Sequence, residues 1–142
     1  MSSEHIFKQY DAELESVRAK VLEMGGLVEK QIADAMKALV ESNPTLAQTV
    51  VKKDHQVNAL EVQIDEDCST IIARRQPTAG DLRMILMMIK TITDLERIGD
   101  EASKIARFAI SIHEANRAWS TKFSDVKAMA SVTQTMLRMA LD

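Results

Sequence analysis

Three long stretches of this chain repeat apolar residues in alternating steps of three and four, with almost nothing between them that would stop a helix. In the first, Phe7, Tyr10, Leu14, Val17, Val21, Met24 and Val28 trace one seam. Such steps average the 3.5-residue spacing that keeps one stripe of a helix facing its neighbours, whereas a half-buried strand needs a period of two. Past Val28 the seam moves one step over, through Ile32, Ala35 and Leu39. Gly25 and Gly26 fall inside the pattern, each about 1 kcal/mol worse than alanine in a helix interior. The spacing predicts a continuous or mildly bent helix from Glu4 to about Glu41, with close helix packing at the glycines.

Ser42, Asn43 and Pro44 mark the first turn: Asn is a good N-cap and Pro suits the first helical position. The second helix is expected from Pro44 to Arg74, on the seam Leu46, Val50, Val57, Leu60, Ile64, Cys68 and Ile71. It should end before Gln76–Pro77, because a residue preceding proline avoids the helical region. Thr78 can cap a third helix, with Asp81 in the capping-box position. Its seam is Leu82, Ile85, Ile89, Ile92, Leu95 or Glu96, Gly99, Ala102, Ala106 and Ala109, fading near His113–Ala118. A linker is expected over Trp119–Lys122, then a fourth helix from Phe123 with Val126, Met129, Val132, Met136 and Met139 on one face.

The expected fold is therefore all-α: an elongated antiparallel three-helix bundle with coiled-coil-type packing over residues 1–118, and an extra C-terminal helix within 119–142. Aromatics at 4%, four glycines and two prolines argue against a β-sandwich or barrel, which needs strands rich in aromatics and frequent turns. A net charge of −3 gives no electrostatic case for nucleic acid. Cys68 is the only cysteine, so no intramolecular disulfide can form, which fits a reducing compartment. No apolar run is long enough to span a bilayer and the polar N-terminus lacks a signal-peptide centre, so a soluble cytoplasmic protein without membrane insertion is expected. The fourth helix stops at Asp142 without a cap, as a truncated chain would. Its Met-rich face is expected to drive homo-oligomer formation, with domain swapping one route.

The second helix carries no Lys or Arg between Lys53 and Arg74, yet it holds Asp54, Glu61, Asp65, Glu66 and Asp67. Asp54, Asn58, Glu61 and Asp65 fall at i, i+4, i+7 and i+11, one stripe beside the apolar seam. Glu61 and Asp65 are like charges one turn apart, which destabilises a helix by about 0.2–0.5 kcal/mol unless something neutralises them. Glu96 and Asp100 repeat the E-x-x-x-D spacing on the third helix. Across an antiparallel hairpin the two pairs can face one another. Four carboxylates, with Asp54, Asn58, Thr93 or water filling in, would suit a hard cation such as magnesium, calcium, manganese or ferric iron.

A plainer reading competes. Arg83, Lys90, Arg97 and Lys104 recur at seven-residue intervals on the third helix and could pair with the acidic stripe, and Asp100 could pair with Lys104. E-x-x-x-D is a common helical spacing, so the residues alone favour ion pairing over metal. No histidine follows a glutamate by three, no nucleophile–base motif or phosphate loop is present, and no general base stands apart from the carboxylates. Arg74 and Arg75 suit the C-terminal end of a helix dipole. An all-carboxylate metal enzyme is the weakest of the readings.

Longer strings go further. Arg75-Gln76-Pro77-Thr78-Ala79-Gly80-Asp81-Leu82-Arg83 and Asp94-Leu95-Glu96-Arg97-Ile98-Gly99-Asp100-Glu101-Ala102 resemble the PhoU family of phosphate-uptake regulators, as do Met24–Gln31 and Asp54–Asp65. The resemblance implies one of two tandem three-helix bundles, each with two E-x-x-x-D motifs that bind metal ions, and the region from Phe123 as the opening helix of the second. It implies a non-enzymatic, often dimeric cytoplasmic protein, peripheral to the inner membrane through its partners. Such proteins repress the phosphate-starvation response by linking the Pst phosphate ABC transporter to the PhoR sensor kinase. It also reverses the balance at the carboxylates: Glu61, Asp65, Glu96 and Asp100 become the expected ligands for iron, magnesium, manganese or calcium, with Asp54 and Asn58 secondary.

Overall fold

The computed structural model describes residues 3–122 together with Thr135, Met136 and Arg138. It contains three helices: α1 (Ser3–Val40), α2 (Pro44–Arg75) and α3 (Ala79–Lys122). No strand is present among the described residues, and the all-α bundle expected from the heptads is what forms. The turns are short, which makes consecutive helices antiparallel neighbours.

Local chemistry sets the ends. Asn43 caps α2: its Oδ1 accepts from the Leu46 amide at 3.1 Å, and Pro44 opens the helix where no amide is required. Ser42 takes φ 52°, the left-handed turn that ends α1. Thr78 Oγ1 accepts from the Asp81 amide at 3.4 Å at the start of α3. α2 ends at Arg75, before Gln76–Pro77 as expected, and Gln76 leaves the helical region with φ 46°, so the two-helix turn closes through a left-handed residue.

The helices divide between two compact units, one of residues 1–30 and 54–100, the other of 31–53 and 101–142. The first is held by a branched and sulfur-rich core: Leu14, Val17, Met24, Val28, Val57, Ile64, Cys68, Ile71, Ile85, Met88 and Ile92. Polar ties fasten α1 to its neighbours in the same unit. Arg75 donates to both Glu13 oxygens, at 2.8 and 3.2 Å, and the Tyr10 hydroxyl donates to Asp81 Oδ2 at 2.9 Å. Lys20 pairs with Asp67. Arg75 therefore does more than end a helix dipole. Its guanidinium holds the Glu13 carboxyl below the usual range, chiefly through the hydrogen bonds, and burial together with Asp81 pushes the Tyr10 phenol up to about 12.

The second unit is packed differently. Its core is Ala35, Ala38, Ala47, Val50, Ala102, Ala106 and Ala109. Such small side chains let helix backbones approach closely. Ser103 is fully buried among the helices of this unit, and its hydroxyl has no hydrogen-bond partner among the described residues.

Three sequence expectations change. The α1 seam does not step over after Val28: Gln31, Ala35 and Ala38 are buried while Ile32 is 38% exposed. The heptad simply continues with a glutamine in a core position. Gly25 and Gly26 do lie in an unbroken helix, but a Cβ at either would meet nothing within 4 Å, so no close packing explains them. Finally, α3 runs on through Trp119–Lys122, the stretch read as a linker. Its apolar seam fades there, but no Gly or Pro follows Gly99 to stop a helix. The expected fourth helix from Phe123 lies outside the described residues, save that Thr135, Met136 and Arg138 are helical.

Candidate metal centre

The carboxylates of interest all belong to the first unit. Asp54, Asn58, Glu61 and Asp65 come from α2, and Glu96 and Asp100 come from α3. Ile64 and Ile92 are buried in the core and fix the rotation of the two helices. That rotation leaves Glu61 and Glu96 half-buried at the edge of the packed surface and Asp65 exposed beside them.

The electrostatics show that these groups are near one another. The Glu61 carboxyl is pushed above its usual range, first by burial, then by the negative charge of Glu96, then by that of Asp65. Glu96 lies 35 positions along the chain, so its influence is exerted from α3 on α2. The repeated E-x-x-x-D spacing predicts four carboxylates together; Glu61 feels Asp65 and Glu96, and Asp100 is not among the charges felt by Glu61.

Among the described residues, the competing ion pairs do not form at Glu61, Asp65 or Glu96. Among the described residues, Lys and Arg pair elsewhere: Arg18 with Glu15, Lys20 with Asp67, Arg75 with Glu13 and Lys104 with Glu101. Arg83, Lys90 and Arg97 are exposed, and no cation joins Glu61, Asp65 or Glu96. The salt bridges that hold this unit use α1 instead, which residue spacing within α2 and α3 could not reveal.

The remaining candidates are less well placed. Asn58 is exposed; Asp54 and Asp100 are half-buried, and each has an interaction of its own. Among the described residues no three His, Cys, Asp or Glu side chains stand close enough to enclose a metal ion as they are. The donor set thus fits a hard cation in the chemistry of its oxygen atoms, without a closed cage. A groove of ≈ 390 Å³ in the same unit lies elsewhere, lined by Glu13, Ser16, Lys20, Asp67 and Thr70, with its charges already paired.

The repulsion has a measurable sign. A carboxyl whose folded-state pKa is raised binds its proton more tightly in the folded state. Its contribution to stability therefore falls as pH rises from the unfolded value through the folded one. Glu61→Gln removes that penalty. The metal-free variant should be more stable than the parent by about 0.5 kcal/mol at pH 7, the scale of one or two like-charge contacts. The gain should shrink toward pH 4, as urea denaturation at the two pH values will show. A less stable variant at pH 7 would mean that the Glu61 charge is compensated.

Cys68 is fully buried, and burial, with Asp65 and Asp67 nearby, raises its thiol to about 11. Its sulfur is packed within the apolar core of the first unit.

Comparison with known proteins agrees with the all-α fold. The PhoU domain family model matches residues 21–109. The chain is 50% identical over 138 residues to the phosphate-specific transport system accessory protein PhoU homolog of Pseudomonas aeruginosa, covering 97% of this chain and 57% of that protein. It is 52% identical over 108 residues to the phosphate-specific transport system accessory protein PhoU of Escherichia coli, covering 76% and 45%. The crystal structure of PhoU from Pseudomonas aeruginosa superposes with a TM-score of 0.73 at 50% identity, over 94% of this chain and 63% of that one. The chain thus spans about half the length of the curated relatives it matches.

Proposed function

The chain belongs to the PhoU family, and from that premise we propose that it is a non-enzymatic accessory protein of a phosphate-specific transport system whose α2–α3 carboxylates take up a metal ion. The accessory role is supported by relatives named for it, at 50% identity across most of this chain. In the finer form of the proposal, the protein is a cytoplasmic negative regulator that links the phosphate transporter to the sensor kinase of the phosphate-starvation response, and it acts as a homodimer. No described helix is long and apolar enough to cross a membrane, so contact with a transporter would run through docking.

The observation that carries the metal reading is the uncompensated repulsion at Glu61. Burial raises its carboxyl most, Glu96 and Asp65 raise it further, and among the described residues no lysine or arginine pairs with any of the three. Glu61, Asp65, Glu96 and Asp100 would hold the ion, with Asp54 and Asn58 in outer positions. A hard cation there would neutralise the cluster and pin α2 to α3. Oxygen ligation selects magnesium, calcium, manganese or iron over zinc and copper.

Metal analysis of protein purified without chelator tests this, beside a Glu61→Ala/Glu96→Ala variant. The parent should retain metal and the variant should lose it. At a free metal concentration 100 times the dissociation constant the parent should gain about 2.7 kcal/mol, seen as a rise in thermal midpoint that the variant does not show. Equal metal content and equal midpoints in the two proteins would remove the metal reading and leave a helical scaffold.

A further inference from the structure

The outward face of α3 in the first unit is not used by the metal reading. Arg83, Lys90 and Arg97 stand seven residues apart. A seven-residue step drifts by only about 20° around a helix, so the three share one stripe. All three are exposed and make no ion pair among the described residues. Between the first two lie Leu86 and Met87, 52% and 68% exposed, where a helix facing only solvent would carry polar residues. Asp94 is the single acidic residue on this stripe from Arg83 to Arg97, which leaves it at a net +2 in a chain of net charge −3.

We propose that this face of α3 docks a helix of a partner protein, one that carries carboxylates at seven-residue intervals beside apolar side chains. Cations at heptad spacing beside exposed apolar side chains can pair with a second helix as in coiled coils, where the flanking charges choose the partner. Met87 suits such a surface, because an unbranched thioether adapts to the side chain laid against it. The bundle itself does not need these cations, since Lys20 and Arg75 supply the cross-helix pairs of this unit. A bilayer has no seven-residue period, and three cations fall short of the four to eight that mark anionic lipid binding. The proposal rests on the accessory-protein reading, in which the chain works by docking, but not on metal.

Fluorescence anisotropy with the full chain tests it. The probe is a labelled 21-residue helical peptide with Glu at three positions seven apart and Leu beside each. A scrambled peptide of the same composition is the control. The ordered peptide should bind, and the scrambled one should bind at least about tenfold more weakly. An R83E/K90E/R97E variant, with its helicity checked by circular dichroism, should lose the ordered peptide by a similar factor. The same variant should recover binding to a peptide with Lys in place of Glu. Equal binding of both peptides, or a charge-reversed variant that binds like the parent, overturns the proposal. So does parent protein that sediments with phosphatidylglycerol vesicles while ignoring the peptide, or that self-associates through these three residues. Metal content is measured separately, so loss of the docking face leaves the metal reading standing.

Discussion

An Ile64→Ala variant should lose about 2–5 kcal/mol of stability, the range for truncating a buried aliphatic side chain and leaving a cavity behind. Ile64 is fully buried in a cluster with Met24, Val28, Val57, Cys68, Ile85 and Ile92. Alanine's better helix propensity offsets only a few tenths of that loss. Against a total stability of about 5–15 kcal/mol the change is large. Urea denaturation should show a lower midpoint at an unchanged slope. Ile64 also sits between Glu61 and Asp65 on α2, so it sets the rotation that presents both. Metal uptake should weaken in this variant although every carboxylate is intact. A loss below about 1 kcal/mol would mean that the core around Ile64 collapses to fill the space.

The alanine core of the second unit makes the opposite error costly. Ala106 is fully buried among Ala35, Ala38, Ala102 and Ala109. Leucine there must push helices apart or strain its own rotamer, and overpacking of this kind costs about 1–3 kcal/mol, sometimes more. Ala106→Leu should therefore lower the thermal midpoint by several degrees. Ala115→Leu, at an exposed position of α3, should change stability by no more than about 0.5 kcal/mol. Equal effects at the two sites would show that the second unit has room to spare. The pair separates an ordinary loss of helix propensity from loss of close packing, because both substitutions make the same chemical change in the same helix.

Much of this architecture is written in local rules. Asn43 before Pro44 and Thr78 before Asp81 mark helix starts that the backbone adopts. The seams of α2 and α3 are the buried faces of the first unit, from Val57 to Ile71 and from Ile85 to Ile92. Phe7 opens the α1 seam by spacing but is 67% exposed, since periodicity cannot show how far along a helix its neighbours reach. Gln31 misdirects the reading for a different reason: a polar residue in the heptad looks like a shift of the stripe toward Ile32, whereas the helix keeps its phase and buries the glutamine.

The candidate site divides in the same way. The i, i+4 spacing of Glu61 with Asp65 and of Glu96 with Asp100 is local, and Glu61 feels the charge of Glu96 from the next helix. Whether Arg97 and Lys90 neutralise them is a question of side-chain reach between helices, which no spacing answers. Nor does anything near Arg75 in the chain point to Glu13, 62 residues away, or near Tyr10 to Asp81, 71 residues away. These contacts depend on the order in which three helices close around one core.

The lone thiol gives this protein a built-in clock. Cys68 is sealed within the first core and its proton is held more tightly than in water. An alkylating reagent can reach it only when that core opens. The labelling rate, followed against reagent concentration, therefore reports how often the first unit comes apart and how quickly it recloses. Because Cys68 is the chain's single cysteine, every labelled molecule records that one event, with no engineered probe required.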